Sequence, residues 1–299
     1  MMISDRDCRT LGVFQRRELE AAEGKIIALA GAGGDGHAYS QLARTFHLGE
    51  IRVADPETIS IENMNRYGTA YMDTIGQPKV ALFAQEVARI DPSTRVVPYP
   101  EGLTLENVEE FVDGSDLVIE EIDLGADTSL SVALYQAARR RGIAVLTSMN
   151  ILHMGVATSF NPEGAYLYED MIGVPRDVDP SKTRGLAPGF ARTMPRIPWE
   201  YGDITTLEKI TAGAPLPSTR TGVDQAIALG TIQAGFHLTR EVDNHRPDPV
   251  WAPYWAYADA YTLKSGIARP SSAKFYTQAA LAALRTRLRI NPRASYDEL

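Results

Sequence analysis

The stretch Lys25–His37, KIIALAGAGGDGH, decides the fold. Its first six residues, KIIALA, make a short apolar run of strand length. The run passes directly into Gly31-Ala32-Gly33-Gly34-Asp35-Gly36, in which Gly31, Gly33 and Gly36 match GxGxxG. Glycines at that spacing allow a tight turn and let backbone N–H groups approach phosphates at a helix N-terminus. From Asp35 to His47 the pattern is helical, with Tyr39, Leu42, Ala43 and Phe46 on one side. Glu50–Ala54, EIRVA, reads as a second strand with Asp55 at its carboxyl end. Strand, glycine turn, helix and strand within about thirty residues is a βαβ unit. In that setting the glycines predict a bound nucleotide, the alternative being a purely structural turn.

The alternation extends on both sides. Residues 12–24 read as a short charged helix ending at Gly24, and Pro78–Ile90 as a helix stopped by Asp91-Pro92. Thr94–Tyr99 is a candidate strand, and Thr104–Asp113 a helix with Thr104 as its cap. Asp116–Ile122 reads as a strand ending in Asp123, Thr128–Arg141 as a helix closed by Gly142, and Ile143–Thr147 as a further strand. This order predicts an α/β fold, a doubly wound, Rossmann-like, mostly parallel sheet, through about residue 150. Beyond it, Met154–Phe160 is a strand that enters the Asn161-Pro162-Glu163-Gly164 turn. Residues 173–220 are rich in Pro, Gly, Thr and Arg and too long for an ordinary connection, which suggests a crossing segment, a lid or a partner-binding arm. Val223–Leu238 is an apolar helix and Ser272–Leu288 an amphipathic one; between them Trp251, Tyr254, Trp255 and Tyr257 cluster as substrate pocket, dimer contact or core. The expected organisation is a nucleotide-binding domain over 1–165, a crossover over 166–222, and a C-terminal extension over 223–299, mainly helical and packed on the same domain.

Net charge excludes one class of partner. At −8, with an isoelectric point near 5.2, the surface disfavours nucleic-acid backbones, although a local basic pocket for a small anion remains compatible. The polar start, MMISDRDCRT, carries no signal-peptide pattern, and no apolar run is long enough to span a bilayer. Cys8 is the single cysteine, so neither an internal disulfide nor a CxxC zinc site can form. Together these features predict a cytoplasmic protein with no membrane partner.

The remaining polar residues carry the chemistry. Asp55 is placed to accept hydrogen bonds from ribose hydroxyls, or else to cap the Asp55-Pro56 turn. Asn63-Met64-Asn65-Arg66 offers a guanidinium fork and amides that suit phosphate oxygens, or else is a turn with one surface arginine. Lys79 opens a helix against the macrodipole, which contact with an anion would explain. Asp123, at a carboxyl strand edge, is placed to hold Mg²⁺ on ATP phosphates, or to cap the next helix. Glu120 and Glu121 add negative charge beside it. Arg66, Lys79 and Asp123 together describe phosphoryl or nucleotidyl transfer, in which cations neutralise charge building on the α-phosphate as a carboxylate attacks it.

Over about residues 9–165 the chain resembles the ThiF/MoeB/HesA adenylyltransferases, relatives of the ubiquitin-activating enzymes. The family's GxGGxG stands as Gly31–Gly36, its LAR as Leu42-Ala43-Arg44, its strand-end acid as Asp55, its NxNR as Asn63–Arg66, its GxxK as Gly76–Lys79 and its metal-site acid as Asp123. The resemblance implies binding of ATP and Mg²⁺ and formation of an acyl-adenylate from a carboxylate, which belongs to a protein C-terminus, a peptide or a small acid. It also implies a homodimer in which an N-terminal arginine, here Arg9, reaches the partner's phosphates. On this basis Gly31, Gly33, Gly34, Gly36, Asp55, Asn63, Asn65, Arg66 and Lys79 bind the nucleotide. Arg66, Lys79, Asp123 and Arg9 serve catalysis, and Asp123 holds the metal.

The chain also departs from the family pattern. Tyr67 follows Arg66 where glutamine is usual, Asp35 puts a carboxylate in place of an apolar residue, and Thr128 stands near a missing arginine. The zinc CxxC pairs and a later acyl-accepting cysteine are both absent, so an adenylate would pass to an external acceptor. Arg184, Arg192, Arg196 and Arg220 are either docking points for a carboxylate-bearing partner or solvated loop charges. Two other readings stay open: an NAD-dependent oxidoreductase, which accounts for the glycines and Asp55 alone, and a degenerate scaffold subunit of a heterodimer.

Overall fold

The computed structural model describes residues 5–123, 128–184, 217–242 and 246–287. Eight strands form one sheet in the order β3-β2-β1-β4-β5-β6-β7-β8. They are β1 Ile26–Ala30, β2 Glu50–Ala54, β3 Arg95–Tyr99, β4 Leu117–Glu120, β5 Val145–Ile151, β6 Met154–Phe160, β7 Trp255–Asp259 and β8 Lys264–Ala268. The first five pair in parallel, and β6, β7 and β8 add antiparallel strands. The helices are α1 Arg16–Ala22, α2 Gly34–Ala38, α3 Leu42–Thr45, α4 Lys79–Ile90, α5 Val108–Val112, α6 Thr128–Arg140, α7 Tyr168–Ile172, α8 Arg220–Leu238 and α9 Ser272–Arg287.

The central strands are apolar on both sides because both faces are covered, as a parallel sheet requires. One face packs Phe14, Leu19, Tyr39, Phe46, Val80, Phe83, Val87 and Leu238. The other packs Phe111, Val132, Tyr135, Phe160, Tyr168 and Trp255. In α4 the buried Val80, Phe83 and Val87 share a side at helical spacing, while Leu82 packs on another side with Ile59, Tyr67 and Ala70. Helix α8 lies very close to the sheet, and glycine makes this possible. A Cβ on Gly155 of β6 would stand 2.1 Å from the backbone nitrogen of Ala226. Among the described residues no helix is long and apolar enough to cross a membrane.

Several elements differ from the sequence reading. The helix expected over 35–47 is α2, a 3-10 turn Tyr39–Gln41 and α3 in series. The helix expected over 104–113 shortens to α5, because Thr104 and Asn107 close a turn of their own: Asn107 N–H donates to Thr104 Oγ1 at 3.1 Å, and Thr104 N–H to Asn107 Oδ1 at 2.8 Å. The strand expected to end at Asp123 stops at Glu120, so Asp123 lies in the loop beyond β4. After Leu238 the expectation was helical, yet β7 and β8 extend the sheet there, and Trp255, 1% exposed, is core. The segment expected to be a crossover falls largely on 185–216, outside the described residues, as do Gly185–Pro188, Arg192 and Arg196.

Candidate functional site

The glycine loop follows β1 at its carboxyl edge, beside β4, where the strand order reverses and open α/β sheets bind ligands. Two glycines are demanded by chain meeting chain. Gly31 has φ +97°, and a Cβ there would lie 2.3 Å from the Glu121 carbonyl oxygen. A Cβ on Gly36 would lie 2.1 Å from the Gly31 carbonyl oxygen. Gly33 is different: a Cβ there meets nothing within 4 Å, which leaves room for a phosphate before the first N–H groups of α2. At Gly34 the neighbours are Arg66 Cγ at 3.2 Å and Val223 Cγ2 at 3.4 Å, so the Arg66 stem and the first turn of α8 close over the loop.

Asp55 does the work of a loop clamp. Its Oδ2 accepts from Ala32 N–H at 2.7 Å, and its Oδ1 accepts from Glu57 N–H at 2.8 Å, which caps the Asp-Pro turn. Burial raises its pKa, and the charge of Lys79 opposes the rise. Lys79 is 5% exposed; its Nζ stands 4.0 Å from Asp55 Oδ2 and pairs with Glu57. These carboxylates explain a cation in the first turn of α4. The Glu57 side chain is 62% exposed, so an incoming anion can displace it from Lys79. Nothing in the sequence around Glu57 had marked it.

The Asn63–Arg66 element is a 3-10 turn, Ile61–Asn65, whose members largely bind one another. Asn63 is buried, and its Oδ1 accepts from Ser60 N–H at 3.1 Å. Asn65 Oδ1 accepts from Arg66 Nη1 at 3.0 Å, while Asn65 Nδ2 donates to the Ser218 carbonyl at 2.8 Å. Arg66 Nη1 also donates to the Glu62 carbonyl at 2.9 Å. The two asparagines therefore shape the turn that presents Arg66. Tyr67 is buried and lies against His37, ring centroids 4.3 Å apart. Burial and the Arg220 charge hold the His37 imidazole down to about 3.

The Asp35 carboxylate is held by Asn150. Its Oδ2 accepts from Asn150 Nδ2 at 2.7 Å and from Asn150 N–H at 3.2 Å, while Oδ1 is buried with no hydrogen-bond partner among the described residues. Burial drives its pKa up to about 6; the Asn150 bonds oppose this, Asp123 adds to it and Arg66 opposes it. Glu121 accepts from Ser148 Oγ at 2.7 Å, and burial with the nearby Asp35 charge keeps its carboxyl well above the usual range. Glu120 accepts from Ser131 Oγ at 3.0 Å and is pushed up to about 7 by burial. Asp123 itself is exposed. Among the described residues no cluster of three His, Cys, Asp or Glu could hold a metal. A single exposed carboxylate still fits Mg²⁺, which is commonly held by one or two carboxylates plus substrate phosphates.

Other expected residues lie elsewhere. Arg9 and the exposed Cys8 belong to a 3-10 turn, Asp5–Arg9, anchored through Arg6 to Asp91 at 2.8 Å and through Asp7 to His47 at 3.0 Å. His47 precedes β2 and Asp91 precedes β3, so this turn sits at the amino edge of the sheet, opposite the glycine loop of its own chain. Arg44 is a surface charge beside Glu86, at 3.5 Å. A cleft lined by Arg52, Arg95, Tyr99 and Arg141 opens at the β3 edge, away from the glycine loop. There Arg52 Nη1 is spent on the Phe111 and Asp113 carbonyls, at 2.9 and 2.6 Å, at the end of α5.

A glycine loop at the switch point, clamped by a buried aspartate and faced by an arginine and a lysine, defines an α/β nucleotide-binding protein. The ThiF family profile matches residues 5–245, and the chain belongs to that family. It is 32% identical over 184 residues to the uncharacterized protein MT1398 of Mycobacterium tuberculosis, covering 61% of this chain and 24% of that one. It is 30% identical over 143 residues to tRNA threonylcarbamoyladenosine dehydratase of Bacillus subtilis, covering 48% of this chain and 55% of the relative. With the SAMP-activating enzyme E1 of Haloferax volcanii the figures are 28% over 138 residues, 46% and 50%. The chain thus spans between about a quarter and about half of these curated relatives. Among solved structures, E. coli MccB with ATP superposes with a TM-score of 0.66 at 13% identity, covering 90% of this chain and 72% of that one. That likeness is one of fold.

Proposed function

We propose that the protein is an ATP-dependent adenylyltransferase. A substrate carboxylate attacks the α-phosphate, an acyl-adenylate forms, pyrophosphate leaves, and the acyl group passes to an external nucleophile. The observation that carries this reading is the gathering of Arg66, Lys79 and the open space at Gly33 at one carboxyl edge, with Asp123 in the loop next to them. In this scheme Gly31, Gly33, Gly34 and Gly36 shape the phosphate room, and Asp55 holds the loop and meets the ribose. Asn63 and Asn65 set the turn, while Arg66 and Lys79 take the phosphates. Mg²⁺, held by Asp123 and the phosphates, would neutralise charge on the leaving pyrophosphate. The external acceptor follows from Cys8 being the sole cysteine and lying at the far edge of the sheet. We further place the protein in the cytoplasm as a homodimer, with Arg9 extending to the partner's phosphates.

Family membership, together with the roles open to Arg66, Lys79 and Asp123, favours this reading over an NAD-dependent oxidoreductase. Asp35, one of the departures from the family pattern, has a structural use in binding Asn150. The test is thermal unfolding of the purified protein with ATP, AMP, NAD and NADP, each with and without Mg²⁺. A ligand of the folded state raises the midpoint by mass action. The expected result is a Mg²⁺-dependent shift with ATP that Asp123→Ala removes and Lys79→Ala weakens. A shift with NAD alone would return the chain to the oxidoreductases, and no shift with any ligand would favour the scaffold.

A further inference from the structure

Arg220 opens helix α8, a place where a cation opposes the helix dipole. Its visible partner there is modest. Nη2 meets Asp224 at 2.7 Å, an i,i+4 pair whose side chains are 47% and 53% exposed. Such exposed pairs contribute only about 0.3–0.5 kcal/mol, and this one has the cation on the N-terminal side, the weaker orientation. The second contact, Nη1 to the Arg66 carbonyl at 3.4 Å, is long. Among the described residues, Arg220 therefore rests beside Arg66 with donors to spare.

Its location is closely specified. Val223, one turn further along α8, is the residue that abuts Gly34 of the glycine loop. Arg220 thus lies about one helical turn, roughly 5 Å, outward from that contact. Gly68 makes space for it: a Cβ there would stand 3.1 Å from Arg220 Nη1. The segment that delivers it is tied down by a chain of side chains. Asn65 Nδ2 donates to the Ser218 carbonyl, Ser218 Oγ donates to Asn150 Oδ1 at 2.8 Å, and Asn150 binds Asp35. The link from Asn65 to Asp35 spans the turn that presents Arg66, the approach to α8, the end of β5 and the glycine loop. Asp35, an apolar position in the family pattern, is the terminus that fixes Asn150.

Resting on the adenylation reading, we propose that Arg220 is a specificity-determining residue that holds the carboxylate of the second substrate at the rim of the nucleotide site, exchanging Asp224 for it. The nucleotide phosphates have Arg66, Lys79 and the loop N–H groups. An attacking carboxylate must be brought against that triphosphate, and a guanidinium one turn outward screens the two anions from each other. After attack, the same guanidinium donates to the acyl carbonyl oxygen that had belonged to the carboxylate.

The probe is 5′-O-(N-acetylsulfamoyl)adenosine, a stable acyl-adenylate mimic, compared with AMP by isothermal titration calorimetry. Arg220→Gln is expected to weaken the acyl mimic about tenfold or more while leaving AMP within about twofold, as loss of one charged hydrogen bond predicts. Arg220→Lys should restore part of the loss. Asp224→Ala, which frees the guanidinium, should tighten the mimic, and it keeps the test informative if Arg220→Gln fails to fold. Equal weakening of both ligands would assign Arg220 to the nucleotide and overturn the proposal, as would no change in either. Weaker ATP with unchanged AMP and unchanged mimic would assign it to the outer phosphates, also overturning it. If the wild type binds neither AMP nor the mimic, the adenylation reading itself falls and takes this inference with it.

Discussion

His37 shows what the site asks of a single residue. It follows the last loop glycine, is 3% exposed, and its Nε2 meets Thr69 Oγ1 at 3.1 Å while Nδ1 is buried with no partner among the described residues. Imidazole takes up a proton near 6.5 in the unfolded chain, whereas in the folded protein it does so only at about 3. Between those values the unfolded state binds more protons, so folding stability is complete above about pH 6.5 and declines as pH falls toward 3. From pH 7 to pH 5 the loss due to His37 is about 2 kcal/mol. Urea unfolding at the two pH values should show His37→Gln losing about 2 kcal/mol less than the wild type; an identical loss would mean that His37 titrates alike in the folded and unfolded states.

Helix α8 brings the site together at the next scale. It spans from the glycine loop, through Val223, to Phe14 and Phe46 near Gly235. Its seat on β6 depends on Gly155, where the nearest helix atom would be 2.1 Å from a Cβ. Gly155→Ala must push helix and strand apart, and such overpacking costs about 1–3 kcal/mol. Since α8 also carries Arg220, affinity for the acyl mimic should fall together with the urea midpoint. Unchanged values of both would show that the helix can shift freely. This element was visible in the sequence because Val223–Leu238 is a long run of small and apolar residues, as β1, β2, α4 and α6 were visible from runs bounded by glycine or proline. Strands β7 and β8 were not. Lys264–Ala268 is an exposed edge strand with Gly266 inside it, so no alternation marks it. The glycines, Asp55, Arg66 and Lys79 could be read from local spacing. Glu57, Asn150 and Ser218 could not, because their roles come from partners distant in sequence.

Across the whole molecule, the continuous sheet makes β7 part of the same core as β1. Trp255 packs with Phe160, Tyr135 and Tyr168, and β7 pairs with β6 from Met154 to Ala157. Trp255→Ala should cost about 3–5 kcal/mol by leaving a large cavity. Circular dichroism and intrinsic fluorescence should report coincident unfolding transitions in the wild type if the eight strands melt as one unit. Two separate transitions would show that β7 and β8 form a unit of their own.

The bonds that join Asn65 and Asn150 to Ser218 also set an order for synthesis. A chain still on the ribosome that has emerged only as far as Phe160 already contains the glycine loop, Arg66 and Lys79. It lacks the helix that covers β5 and β6 and the arginine that α8 delivers. The nascent protein then has a glycine loop without the helix whose first turn closes over it, and the apolar face of β6 is bare. Completion of the site is therefore timed by translation of residues 218–238, and until then that bare face is a natural target for chaperones.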